Sequence, residues 1–487
     1  MGKLVAVTSF RNIRQSTKPA YIIMAKTSKI IVLLGAFALG VAVQSAIAQD
    51  SGPLLDLLVK KGTITDQEAE DLRAALLKQN TDAAAGSLNV TNPGLSSMRL
   101  WGDIRVRMED REATQTSPPN DHIELDRFRY RLRLGFDGTL SDDWSFGLRI
   151  DTNSNDRSSN VTLGTNKSTS FGPWSKGDDA INIGQVFASY KPGDWTFTVG
   201  KMPLPLTTTN MVWYQDMAPE GLNEQFKHSA GALDYKVDLA QFIYGAPPTG
   251  INNNFGTATV SSRDILMLAW QVSLKYNVNK TDYVQISPVL YTYVNANLGN
   301  ANPAPFNGVF SAPIPASPTL SAISQQAVNN LNVIEIPLEY DTMNLAPKVV
   351  RFFGDFGLNT EATARADHYS RPDLSGQSIA YQAGIQYGKA TKAGEWDAKA
   401  YWQQIDLFAL DPNLIDPDNF DSLTNLKGWV VNGNYYLTDA VSLGSTLSHA
   451  IRADDHAPTG GDSQDTGSPN LILRNYWLYQ FDLNIKF

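Results

Sequence analysis

Arginine recurs at every second position in R-F-R-Y-R-L-R, residues 127–133, and the preceding and following segments add more arginines. In a β-strand this spacing directs the guanidinium groups to one face. The set comprises Arg105, Arg107, Arg127, Arg129, Arg131, Arg133 and Arg149. Such a surface attracts anions or orients dipolar solutes, so these residues are candidates for the wall of a pore. The alternative is a set of ion pairs that only orders the wall.

A second candidate is the long segment at residues 202–227, which opens K-M-P-L-P at Lys201. Its length, prolines and apolar content predict a loop that folds inward, although an ordinary surface loop is the alternative. The charged residues assigned to this constriction loop are Lys201, Asp216, Glu220 and Glu224. Acidic groups there would face the arginines and create a transverse field at a constriction.

Catalytic and metal-binding chemistry has little support in the sequence. The chain has no cysteine, and its five histidines show no H-x-x-x-H or H-E-x-x-H spacing. The acidic segment Asp411–Asp421 could hold a divalent cation, but it lacks EF-hand spacing and is typical of a solvated extracellular loop. We therefore expect no enzymatic activity, no cofactor and no bound metal.

The elements that position these residues are strands. Period-two alternation begins after Met98 and continues to the last residues, Tyr479–Phe487. The connections alternate between short and long, as they do in barrels that cross a membrane. The sequence thus predicts an all-β fold, a transmembrane antiparallel β-barrel of about 16 strands. An arginine at the bilayer midplane costs ~2–4 kcal/mol when it faces lipid, so the arginines must face the lumen.

The N-terminal region differs from the barrel. Lys26 and Lys29 precede an apolar run at residues 30–43 and small residues that end at Ala48. This pattern predicts a signal peptide over residues 1–48, with Met24 as an alternative start. Residues 49–97 are predicted to form a short periplasmic helical segment and a linker, and residues 98–487 the barrel.

The composition of the chain argues against one class of binding partner and one class of membrane protein. The first 48 residues hold six basic and no acidic residues, so the remaining chain, with 34 basic and 49 acidic residues, carries a formal net charge of −15. This argues against a nucleic-acid partner. A mean hydropathy of −0.24, with no other apolar run of spanning length, excludes a helical membrane protein.

Several motifs carry a resemblance to a known family. They are D-L-L-V-K-K-G-T-I-T at Asp56–Thr65, L-W-G-D-I-R at Leu100–Arg105, R-F-R-Y-R-L-R-L-G-F at Arg127–Phe136, G-K-M-P-L-P at residues 200–205 and the terminal Phe487. Over roughly residues 50–487 the chain resembles bacterial outer-membrane porins, most closely the putative porins, and is distantly similar to phosphate-selective porins. A lysine-rich lumen loop, typical of phosphate channels, is not evident.

The resemblance implies a homotrimer of sixteen-stranded barrels, each with its third long loop folded inward. We therefore expect a channel in the bacterial outer membrane for passive diffusion of small hydrophilic solutes, with a preference for anions. Its partners would be outer-membrane lipid, those solutes and two further copies of the chain. The alternative function is a structural or adhesive outer-membrane anchor with little channel activity.

Overall fold

The computed structural model describes residues 97–487, apart from 116–121, 141–142, 154–156, 165–179, 246–264, 295–322, 325–327, 329, 369–370, 419 and 462–472. The predicted signal peptide, and the helical segment and linker up to residue 96, lie outside the described residues. Within the described part, no helix is long and apolar enough to cross a membrane.

Sixteen strands form the barrel in the described chain, when two interrupted strands are each counted once and the two-residue strand Val161–Thr162 is left aside. They are β1 Ser97–Gln115, β2 His122–Thr139, β3 Trp144–Asn153, β4 Ala180–Tyr190, β5 Trp195–Lys201, β6 Glu220–Ala230, β7 Leu233–Gly245, β8 Ile265–Asn277, β9 Tyr283–Ile286 with Val289–Val294, β10 Asn332–Glu335 with Leu338–Thr342, β11 Val350–Asn359, β12 Ile379–Tyr387, β13 Trp396–Ile405, β14 Leu426–Tyr436, β15 Val441–Arg452 and β16 Leu473–Lys486. Pro288 and Pro337 interrupt β9 and β10, because proline has no backbone N–H to donate.

Each strand pairs with the next in antiparallel orientation, and β16 pairs with β1, so the sheet closes into a barrel. The predicted sixteen-stranded antiparallel barrel is confirmed. At the closure, Gly102 N donates to Phe487 O at 2.8 Å and Phe487 N donates to Gly102 O at 3.0 Å. A Cβ on Gly102 would lie 2.5 Å from the Phe487 ring, so glycine leaves the space that the terminal ring occupies.

Side chains alternate along the strands between an outward apolar face and an inward polar face. On β1, Ile104, Val106 and Met108 are exposed on the outside, whereas Arg107 between them is buried on the inside. We call the end of the barrel with the short connections the turn end and the opposite end the loop end. Trp144, Trp195, Tyr276 and Trp396 are exposed near the turn end, where aromatic girdles of membrane barrels lie.

The remaining elements are short. Val161–Thr162 pairs with β2. At the loop end, Leu423–Thr424 pairs antiparallel with Gly460–Gly461, which also pairs in parallel with Ile323–Ser324. The helix α1, Ala362–His368, and the 3₁₀ turns Pro372–Leu374 and Phe420–Ser422 complete the described elements.

Two loops pack inside the barrel. We call residues 202–219 the first inward loop and residues 406–425 the second inward loop. Met211 and Trp213 of the first join Leu410 and Ile415 of the second in one buried apolar cluster. The loops also hydrogen-bond directly, since Tyr214 N donates to Leu414 O at 2.6 Å. The first loop is shorter than the predicted 202–227, because Glu220–Ala230 forms β6.

Candidate functional site

The arginines of β1 and β2 face each other across the strand pair. The register sets Arg105 opposite Arg131 and Arg107 opposite Arg129. Like charges directly opposite one another destabilise a sheet unless other groups compensate. We call the inward side chains of β1–β3 the arginine wall, and its stability depends on the carboxylates that surround it.

Glu109 is the central carboxylate of the arginine wall and is fully buried. It accepts hydrogen bonds from Arg111 Nε at 2.9 Å, Arg127 Nε at 2.7 Å and Gln480 Nε2 at 2.7 Å. Its second oxygen also lies 3.8 Å from Arg129 Nη1. One buried carboxylate therefore compensates several guanidinium groups at once.

Strand carboxylates pair most of the other predicted pore-lining arginines. Arg131 Nε donates to Asp103 at 2.9 Å, and Arg149 Nη2 donates to Asp151 at 2.8 Å. A separate carboxylate on β16, Asp482, accepts from Arg107 Nε at 2.7 Å and lies 3.9 Å from Arg105 Nε. All seven predicted pore-lining arginines thus lie on the inward face of β1–β3, and each is within 4.0 Å of a strand carboxylate.

Arg133, which lies 3.9 Å from Asp103, also binds the first inward loop. It pairs with Asp216, which also accepts a hydrogen bond from Ser159 Oγ at 2.6 Å. The hydroxyl of Tyr214 lies 3.2 Å from the same carboxylate, and burial raises the pKa of Tyr214 to about 12. Asp216 is therefore the predicted constriction-loop residue that forms an ion pair with the arginine wall.

The second inward loop covers the arginine wall toward the loop end. Its Asp418 lies 2.8 Å from Arg107 Nη1, and its Asp421 lies 3.5 Å from Arg111 Nη1. Arg157, in the segment after β3, donates to the carbonyl oxygen of Ile415 at 2.7 Å. The expectation of a solvated loop at Asp411–Asp421 is wrong, because these arginines and the apolar cluster hold it inside the barrel.

The carboxylates of this loop differ in their pKa values. Burial, and then the neighbouring Asp418, raise the pKa of Asp416 to about 7. Burial also acts to raise the pKa of Asp418, but Arg107 outweighs it and holds that pKa well below its usual range. Within the described residues, no group of acidic and histidine side chains could hold a metal ion.

The other predicted constriction-loop residues, Lys201, Glu220 and Glu224, lie elsewhere. They belong to β5 and β6, and the register pairs Lys201 with Glu220 and Phe197 with Glu224. Phe197 is exposed on the outward face, so the alternation of the strands places its partner Glu224 outside the barrel. Lys201, at the end of β5, lines a cavity of about 230 Å³ with Arg149 and Asp216. Lys201 and Glu220 pair at 3.2 Å.

A cavity of about 370 Å³ lies between the first inward loop and the inward faces of β9–β13. Its lining includes Thr207–Asn210 of the loop, Gln382 and Gln386 of β12, and Lys399 and Tyr401 of β13. Arg351 of β11 also reaches it but is bound to Asp341 through two hydrogen bonds of 2.6 and 2.8 Å. The inward face of β9–β13 therefore borders a cavity and is rich in amide, hydroxyl and aromatic groups.

The residues that sequence reasoning missed are those of the second inward loop and its partners. Glu109, Arg111 and Arg157 bind one another, the loop or its neighbours, but they stand in no recognisable motif. One signal was available in the sequence, because the loop carries the apolar run L-F-A-L at residues 407–410, which a solvated loop rarely contains.

Comparison with known proteins shows which family part of this barrel resembles. Residues 102–319 match the family model described as a putative porin. The resemblance to the putative porins is confirmed. The match and the closed barrel support a porin channel of the outer membrane and point to a channel rather than an enzyme.

Solved porin structures are similar to this chain at low identity. A high-pH structure of Pseudomonas putida OprB shares 10% identity over 80% of this chain and 94% of its own, with a TM-score of 0.44. A triple mutant of the Rhodopseudomonas blastica porin shares 9% over 80% of this chain and 100% of its own, with a TM-score of 0.40. No curated protein sequence matches the chain. The fold assignment therefore rests on the strand pairings themselves.

Proposed function

We propose that this porin forms a water-filled channel in the bacterial outer membrane for passive diffusion of small hydrophilic solutes, with a preference for anions. The observation that carries the proposal is the closed barrel with a polar cavity inside it. A second cavity of about 660 Å³, toward the turn end, shares Thr207 and Gln285 with the first. The two cavities therefore adjoin beside the first inward loop.

The preference for anions follows from a difference between the arginines, which are paired with carboxylates, and the lysines that line the cavities. The arginine wall is matched by carboxylates from β1, β3, β16 and both inward loops, so it contributes little net charge. In the first cavity, Lys399 is present in addition to Arg351 and Glu339. In the second cavity, lysines outnumber carboxylates, because Lys227, Lys236 and Lys275 line it with Asp194 and Asp234. Lysines in a narrow aqueous passage lower the barrier for anions, over a Debye length of about 8 Å at physiological salt.

The experiment is single-channel recording of the purified protein in planar lipid bilayers. We expect discrete conductance steps and a reversal potential, across a potassium chloride gradient, on the chloride side of zero. The selectivity should weaken as the salt concentration rises, because salt screens the lysines. Absence of conductance from correctly folded protein would favour the structural-anchor function instead.

We also propose that three copies associate. Support comes from the family resemblance and from Glu224, which lies on the outward face between Phe197 and Leu239. A carboxylate facing lipid is unfavourable, and contact with another copy would shield it. The mass of the detergent-solubilised protein tests this, and a monomer under conditions that preserve the barrel would contradict it.

A further inference from the structure

We infer that Lys399, with the rings of Phe353 and Tyr401, forms a binding site for small organic carboxylates inside the lumen. The inference rests on the proposed channel function, since it names the solute class that such a channel would favour. It assigns solute recognition to β11–β13 rather than to the seven arginines that the sequence brings to attention first.

The three side chains form one surface of the cavity of about 370 Å³. Lys399 Nζ lies 5.2 Å from the ring centroid of Tyr401 and 6.0 Å from that of Phe353. The two rings pack edge to face, with centroids 5.9 Å apart and an interplanar angle of 64°. The ammonium group of Lys399 thus lies beside two aromatic rings, so the site offers both a positive charge and an apolar contact area.

The ammonium group has no carboxylate partner among the described residues. No aspartate or glutamate of the described chain lies within 4.0 Å of Lys399 Nζ, and Asp397 and Asp416 act on it only from a longer distance. Arg351, in the same cavity, differs because Asp341 and Glu339 lie 2.6 and 3.5 Å from it. An incoming anion can therefore pair with Lys399 without displacing a partner of the protein.

The surrounding groups select the class of anion. The side-chain amides of Gln382 and Gln386 and the threonines of the first inward loop line the same space and can hydrogen-bond a carboxylate or hydroxyl groups. The volume falls within the range of about 300–1,000 Å³ that small-molecule sites occupy. A carboxylate at Lys399 would place its organic part on the rings of Phe353 and Tyr401, whereas an inorganic anion would leave them uncovered.

The test is binding of benzoate, acetate and phosphate to the detergent-solubilised barrel by calorimetry, with block of chloride current as a second measurement. Lys399→Gln removes the charge, and Lys399→Arg restores it. Lys348→Gln is the matched control, because Lys348 also lies beside an aromatic ring, 4.6 Å from the Trp396 ring centroid, but lines neither of the two cavities. We expect Lys399→Gln to weaken benzoate binding about tenfold or more, while Lys399→Arg and Lys348→Gln stay within about threefold.

Phe353→Leu should reduce the preference for benzoate over acetate and leave acetate binding unchanged, since it removes only the aromatic contact. Equal benzoate affinity in the wild type and Lys399→Gln would overturn the inference, and so would phosphate binding as tightly as benzoate. If the wild type conducts no ions but binds benzoate in a Lys399-dependent way, the channel proposal fails and the binding site stands. If it conducts ions but shows no Lys399-dependent binding, the binding site fails and the channel proposal stands.

Discussion

The two walls of the lumen use positive charge in opposite ways. On β1–β3, guanidinium groups are buried and paired, as Arg107 is with Asp482 at 2.7 Å and Asp418 at 2.8 Å. On β13, Lys399 is half-buried, has no carboxylate partner within the described chain and borders a cavity. The first wall holds together a barrel and two loops, and the second is available to a solute.

The contrast teaches that a row of charges in a sequence says little about the field it creates. Counter-charges on distant segments decide that field, because an ion pair is electrically almost neutral a few ångströms away. Asp418 and Asp482 are 311 and 375 residues from Arg107 along the chain. The ion pairs of the arginine wall therefore mainly hold strands and loops together. We expect this wall, although it is the more conspicuous pattern in the sequence, to contribute less to ion selectivity than Lys399.

The largest effect expected from this comparison is on stability. Glu109→Ala should destabilise the barrel by about 3–5 kcal/mol, because it removes the buried carboxylate that Arg111 and Arg127 share. Urea unfolding followed by gel mobility of unboiled samples measures this. Glu339→Ala on the opposite wall is the control and should cost about 1 kcal/mol or less, since Glu339 is partly exposed. Equal losses in the two variants would contradict the distinction.

A smaller effect concerns the docking of the second inward loop. The docked loop holds a proton on Asp416 up to its raised pKa of about 7, whereas the released loop loses that proton near pH 4. The equilibrium constant for docking of the loop is therefore largest below about pH 4. Above that pH it falls, by up to about tenfold per pH unit, until the pH passes 7. Asp418 stays ionised over this range, because its pKa is lowered.

Limited proteolysis or current noise at about pH 5 and about pH 8 measures the release of this loop. We expect more cleavage and more noise at the higher pH in the wild type. Asp416→Asn should remove that difference, because its amide does not titrate. A pH effect that is unchanged in Asp416→Asn would show that another group controls the loop.

Much of the barrel could be predicted from sequence because strand alternation is a local signal. The alternation from Arg127 to Arg133 and the apolar pattern that ends at Phe487 identify strands, their faces and the closed fold. The inward position of Asp216 also agrees with the predicted loop. The prediction that Glu224 belongs to the constriction loop is wrong, because the predicted loop extends to residue 227 whereas β6 begins at Glu220. Within a strand, the alternation of side chains decides which face Glu224 occupies.

The pairing of the arginine wall could not be predicted, because it depends on contacts between segments hundreds of residues apart. Nothing near Arg107 in the sequence indicates Asp418. The sequence around Lys399 contains no motif that distinguishes it. The proposal for Lys399 depends on its position beside the cavity and on the absence of a carboxylate within 4.0 Å in the described structure. Local patterns therefore identify the strands, while the electrostatics of the lumen requires the assembled barrel.

The central claim is that the paired arginines contribute little to ion selectivity, whereas Lys399, which has no carboxylate partner in the described chain, contributes to it. The reversal potential across a potassium chloride gradient tests it directly, in the wild type, in Lys399→Gln and in the double variant Asp103→Asn with Arg131→Gln. The double variant removes a hydrogen-bonded ion pair of the arginine wall with no change in net charge. We predict that Lys399→Gln shifts the reversal potential toward cations and that the double variant leaves it near the wild-type value. An unchanged value in Lys399→Gln, or an equal shift in the double variant, would contradict the account.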